Sequence, residues 1–163
     1  MKKRLLSTLL VLCMLLSMMP MMSITASAAS GEISTYAELV AACAEGGTYI
    51  LTADIMNVGE GDNRAVTIPS GKTVSIDGDG HILSVPVPGL TEIGVLNDAG
   101  SPWGVFNNNG TFTISNTTLR GGTGSNAHAI YNYRGALTVE GCTIERTYAK
   151  WDCGAGIYND YGK

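Results

Sequence analysis

Histidine occurs twice in the 163 residues, at His81 and His128, and cysteine four times, at Cys13, Cys43, Cys142 and Cys153. No pair of these residues has the spacing of a zinc site and the two histidines sit apart, so neither a metal nor a cofactor is expected. Basic residues are also few, ten against fourteen acidic ones. Three of the ten, Lys2, Lys3 and Arg4, precede an apolar run from Leu5 to Leu16 and a small-residue stretch Ala26-Ser27-Ala28. That order is a secretory signal peptide over residues 1–28. Its apolar run is too short, and too soon followed by Pro20, to span a membrane well. Removing it takes the formal charge from −4 to −7, which disfavours nucleic acid and anionic membrane as partners. Cys43, Cys142 and Cys153 then remain, an odd number that makes no disulfide framework, although an extracellular location would permit one bridge.

What is present begins with residues 29–33, read as a linker, and one helical stretch within residues 34–47. Thr35 with Glu38 three places on forms a capping box, and Gly46-Gly47 stops the helix. Tyr36, Leu39, Val40 and Cys43 follow the i, i+3, i+4, i+7 pattern, giving one apolar face that has to lie on something. After Gly47 the period changes to two and stays there. The runs TYILTADI, RAVTIPSG, KTVSIDG, HILSV, TFTISN and ALTVEG are short, β-branched and closed by Gly, Asn, Asp or Pro, which is the signature of strands joined by turns.

Those strands recur. GVFNNNGTFTISNTTL at 104–119 is written again as AIYNYRGALTVEGCTI at 129–144, and a third copy starts as GIYNDYGK at 156–163. Aligning Gly104, Ala129 and Gly156 gives spacings of 25 and 27 residues, the size of one coil of a parallel β-solenoid. Alternation within the copies then directs Val105, Ile130 and Ile157 inward, and likewise pairs Phe112 with Leu137, Ile114 with Val139 and Leu119 with Ile144. The same alignment puts Asn107, Asn132 and Asn159 in one inward column, where stacked amides satisfy one another as an Asn ladder. Gly110, Gly135 and Gly162 mark the turn that follows, and Cys142, level with Thr117, is expected to be a core thiol. Cys153 is expected at an exposed turn.

By AIYNYRGALTVEGCTI and GIYNDYGK the chain resembles the right-handed parallel β-helix repeats of bacterial secreted and cell-surface proteins in the pectin-lyase-like superfamily. AVTIPSGKTVSIDGDGHIL resembles the opening coils of such domains, and the helix resembles their N-terminal cap. The resemblance covers residues 34 to 163 and implies an all-β fold, a right-handed parallel β-helix with coils from residue 48 to 163. Because the third copy breaks off, a longer natural protein with this as its N-terminal piece is expected. An extracellular, secreted or cell-surface location follows from the leader and the repeat style.

The chemistry-bearing residues are sparse. Asp77, Asp79 and His81 lie together in IDGDGH, which is suggestive of a site, yet Asp-Gly pairs are what tight turns demand and the calcium-loop pattern is not met. Asp77, Ser115 and Glu140 form one outward column with a hydroxyl in the middle, not the two facing carboxyl groups that glycoside hydrolysis requires. Arg120, Arg134 and Arg146 fall in turns without an acidic cluster, so no catalytic residue is assigned. Phe106, Tyr131 and Tyr158 form one aromatic column that the alternation turns outward. Aromatic rings stack on the apolar faces of sugars, and also on one another, so the column serves either glycan contact or the stack itself. The function expected is an adhesin-like scaffold that meets extracellular polysaccharide, host glycan or host protein without catalysis. Its rival is the N-terminal part of a polysaccharide lyase or glycoside hydrolase.

Overall fold

The computed structural model describes residues 29–59, 65–85, 104–121, 123–124, 128–149 and 156–163. Residues 1–28, read above as a leader, and Cys153 lie outside the described residues. Within them the protein is predominantly β, with one short helix and strands assembled into parallel sheets.

Strands β1 (Ser30–Ile33), β2 (Gly47–Leu51), β4 (Thr73–Asp77), β7 (Thr111–Ser115) and β11 (Ala136–Glu140) form the largest sheet, in that order. A second sheet runs β3 (Val66–Ile68), β6 (Phe106–Asn108), β10 (Ile130–Tyr133), β14 (Ile157–Asp160), and a third runs β5 (Ile82–Ser84), β8 (Thr118–Arg120), β12 (Thr143–Glu145). A two-residue pair, β9 (Thr123–Gly124) with β13 (Tyr148–Ala149), follows the third. Every pairing between these strands is parallel. Each sequence copy thus gives one strand to each sheet in turn, and each copy lies on the next.

The reason is the alternation. In β4 and β7 the second and fourth residues are buried and their neighbours are not, so a strand one place out of register would turn its apolar set to water. Stacking produces columns: Val74, Phe112 and Leu137; Tyr49, Ile76, Ile114 and Val139; Leu83, Leu119 and Ile144. The expected pairs Phe112–Leu137, Ile114–Val139 and Leu119–Ile144 are all present. Phe106 and Phe112, with ring centroids 4.8 Å apart, meet across the interior. At the last copy Leu137, Val139 and Ile144 are only partly buried.

Three expectations need correction here. Residues 30–33 are not a linker: they form β1, paired along its length with β2, and Ile33 is buried. The helix α1 spans Tyr36–Glu45, and Gly47 already belongs to β2. Val40 is 41% exposed, and the buried face of α1 is Leu39, Ala42 and Cys43, with Tyr36 packed at its margin. The buried face is turned from Val40 toward Ala42, and the helix packs against β3, the terminal strand of the second sheet. Burial pushes the Cys43 thiol up to about 12, which leaves it an unreactive core group.

The capping box is formed as read. Thr35 Oγ1 accepts from Glu38 N at 3.3 Å, and Glu38 Oε2 accepts from the backbone N–H groups of Thr35 and Ser34 at 3.0 and 2.8 Å. These bonds hold the Glu38 carboxyl below its ordinary range, the Ser34 N–H contributing most. Replacing Thr35 with Ala is expected to cost about 1 kcal/mol, read as a fall of several degrees in Tm. Glu38 is an acid with a depressed folded-state pKa, so its contribution is present at neutral pH and fades as pH falls through that lowered value. The Tm gap between the wild type and Glu38→Gln should therefore close on acidification below about pH 4, and a gap constant down to pH 2 would count against the box.

Candidate functional site

The second sheet and the corner that follows it carry most of the distinctive side chains. Its inward column is Val66, Phe106, Ile130 and Ile157, and the next inward column is Ile68, Asn108, Asn132 and Asn159. Asn108 Nδ2 donates to Asn132 Oδ1 at 2.7 Å, and Asn132 Nδ2 donates to Asn159 Oδ1, also at 2.7 Å. The ladder exists, then, but its first member is Asn108 and not Asn107.

The slip has a local cause. Between the ladder residue and the corner glycine the earlier copy has one residue, Asn109, whereas the next has two, Tyr133 and Arg134, and the last has Asp160 and Tyr161. Aligning the copies by Gly104 and Ala129 spread that one-residue difference over the strand. In the structure Val105 accordingly lies beside Ala129, whose carbonyl accepts the Val105 N–H at 2.9 Å, and Phe106 takes the place beside Ile130.

Phe106 is therefore not part of an outward aromatic face. It is fully buried, and the outward column reads Thr67, Asn107, Tyr131, Tyr158. Tyr131 and Tyr158 stack with centroids 5.6 Å apart and planes at 21°, and His128 stacks on Tyr158 at 5.0 Å and 16°. Tyr133 joins the series, 6.1 Å from Tyr131 at 21°. Tyr131 and Tyr158 lie on one another along the stacking direction and Tyr133 lies beside Tyr131 along the strand, so part of their area is spent inside the cluster. Tyr131 Oη donates to Asp160 Oδ2 at 3.2 Å. Burial, followed by the neighbouring Asp160 carboxylate, raises the Tyr131 phenol above its usual range.

At the corner Arg134 places its guanidinium over the Tyr133 ring, 5.0 Å from the centroid, and 5.9 Å from that of Tyr161. Tyr161 is 82% exposed. Glycine is obligatory beside this cluster: a Cβ on Gly135 would collide with the Asn108 amide, and one on Gly162 with the Asn132 amide. The corner glycines thus make room for the ladder.

Elsewhere the turn reading of IDGDGH is the observed one, since Asp77 Oδ1 accepts from the Asp79 N–H at 3.1 Å. It also accepts from Asn116 Nδ2 at 3.1 Å, and the bond from Asp79 followed by that from Asn116 lowers the Asp77 carboxyl. The column Asp77, Ser115, Glu140 forms as expected. His81 has a partner that no local motif disclosed: Asp54, 27 residues earlier, whose Oδ1 lies 3.1 Å from Nδ1 of His81 and accepts the Ile82 N–H at 2.9 Å. The only sequence signal was the stacking period itself, which brings Ile55 beside Leu83. Arg120 is not an unpaired turn residue. It lies in β8 and its Nε donates to Glu145 Oε1 at 2.5 Å, in the next copy. Cys142 is partly buried against the core and its thiol contacts the Ile114 and Glu140 carbonyls at 3.6 and 3.4 Å. Among the described residues no group of three His, Cys, Asp or Glu side chains is placed to hold a metal ion, and no helix is long and apolar enough to cross a membrane.

The two asparagine positions make a direct comparison. Asn132→Ala removes a buried amide that bonds to both neighbouring copies and is expected to cost about 2–3 kcal/mol. Asn107 Oδ1 is buried without a partner among the described residues, so Asn107→Ala should be neutral or slightly stabilising. Chemical denaturation of both variants checks this, and equal destabilisation would place both in one ladder.

No protein-family model matches the chain, and no curated protein or solved structure matches it.

Proposed function

We propose that the stacked parallel sheets are coils of a right-handed parallel β-helix of the pectin-lyase-like type, and that the protein is a secreted or cell-surface scaffold of adhesin character contacting glycans through its outer face. One observation carries the reading. Four tyrosines from two successive copies, Tyr131, Tyr133, Tyr158 and Tyr161, gather on the outward side of the second sheet and its corner. The interior supports it, because Val66, Phe106, Phe112, Ile114 and Leu119 fill it. A partner is therefore met on the outside, where tyrosine offers a large contact area at small cost in side-chain entropy.

A non-catalytic surface should retain polymer without cutting it. Incubated with pectin, with polygalacturonate and with immobilised host glycans, the protein is expected to be retained on at least one of them while no unsaturated product appears at the absorbance of the uronate double bond. Tyr158→Ala and Tyr161→Ala are expected to weaken retention severalfold with the fold intact by circular dichroism. Phe106→Ala, by contrast, is expected to destabilise by about 3–5 kcal/mol. Release of product, or retention indifferent to both tyrosines, would overturn the reading.

A further inference from the structure

The corner occupied by Arg134 is more than the fold requires. The earlier copy makes the same passage with Asn109 alone between Asn108 and Gly110, and Asn108 still reaches its ladder partner. The next copy spends an extra residue there, and the pair it installs is Tyr133-Arg134. The copy after it installs Asp160-Tyr161. Arg134 and Tyr161 both adopt left-handed backbone, with φ of 58° and 57°, a conformation that favours Gly or Asn and strains an ordinary side chain. Strain of this kind, held at two neighbouring positions with chemistry-bearing side chains, points to a use for those side chains.

What they form is a cation between two rings. The guanidinium faces Tyr133 and Tyr161, and among the described residues no carboxylate is in ion-pair distance of it. The nearby acid, Asp160, accepts the Tyr131 hydroxyl. A guanidinium steadied by ring faces keeps its planar fork of N–H donors, whose geometry matches a carboxylate in two parallel bonds. The rings beside it offer the apolar surface on which a sugar can lie. A single arginine in a chain of net negative charge suits a single carboxylate and not a polyanion.

We infer that the Tyr133–Arg134–Tyr161 corner binds a glycan end bearing one carboxylate, an acidic terminal sugar. This rests on the glycan-contact reading above and specifies its ligand. Arg134 holds the carboxylate, and Tyr161, the most exposed of the rings, packs on the sugar.

Titration of the full chain with sialyllactose and with lactose, followed by heteronuclear NMR, tests it. The expected result is binding of sialyllactose at least tenfold tighter than lactose, with shifts centred on residues 133–135 and 160–162. Arg134→Asn removes the charge while keeping a residue suited to left-handed backbone, so its Tm should equal or exceed that of the wild type while the preference for the acidic sugar disappears. Arg134→Lys, a point charge without the fork, should lose most of that preference. The inference is overturned if Arg134→Asn keeps the preference, if lactose and sialyllactose bind alike, or if polyglutamate binds through Arg134 and neither sugar does. Equal binding of both sugars leaves the broader glycan reading standing. Absence of any binding, here and on the polymers and immobilised glycans above, removes both.

Discussion

Parallel pairing of each copy with the next is the constraint on which everything else hangs. Superimposed copies give most inward residues a neighbour of their own kind about 4.8 Å away along the sheet, so a column of apolar groups excludes water continuously. A polar column is tolerable only when its members bond to one another. Asn108, Asn132 and Asn159 meet that condition, each of the first two donating to the next. The column begins on Ile68, whose side chain has no hydrogen to donate, and Asn108 Oδ1 instead accepts the Gly110 N–H at 3.1 Å. Gly135 and Gly162 at the following corner belong to the same arrangement, because a Cβ on either would enter the volume of the ladder amides.

At the other end of the chain the constraint takes a different form. The first sheet begins with β1 and β2, while the second begins only at β3. The helix α1 packs on β3 and against β1 and β2, covering with Leu39, Ala42 and Cys43 the surface where an earlier strand of the second sheet would have paired. An exposed strand edge is a template for unwanted pairing, and a helix laid against it removes that hazard. Lys72 Nζ donates to the Glu45 carbonyl at 3.0 Å, which ties the helix C-terminus to the next copy and supplies the positive charge that this end favours.

Strand positions, the inward columns of the first and third sheets and the capping box were legible in the sequence, since each follows from a period or a local bond. Register in the second sheet was not. Its inward residues are read correctly only if the extra residue is assigned to the corner after Asn132, and in a text where Asn107, Asn108 and Asn109 are consecutive the alternation alone cannot say which asparagine faces in. Phe106 and Asn107 were exchanged for that reason: Phe106 lies in the interior beside Phe112, and Asn107 takes the outward place. The Asp54–His81 and Arg120–Glu145 contacts were hidden for a different one. Both join residues a copy apart, 27 and 25 positions, on outward faces where no hydrophobic signal marks the register.

The same one-residue difference separates what the stack needs from what it carries. Corner length is free to vary because the chain leaves one sheet there and enters another, the copies being joined at the corner by the Asn amides and by single backbone bonds such as Arg134 N–H to the Asp160 carbonyl at 3.0 Å. An insertion at such a place disturbs neither the columns before it nor those after it: Phe112 still lies on Val74 and under Leu137 whether the preceding corner holds one residue or two. Side chains at the corner are thus released from the demand for likeness that rules the interior. Successive copies use that release differently, with Asn109 in one, Tyr133 and Arg134 in the next, and Asp160 and Tyr161 after that. The stack places no requirement on a cation beside aromatic rings in left-handed backbone, and it is this corner that we propose serves recognition at the surface.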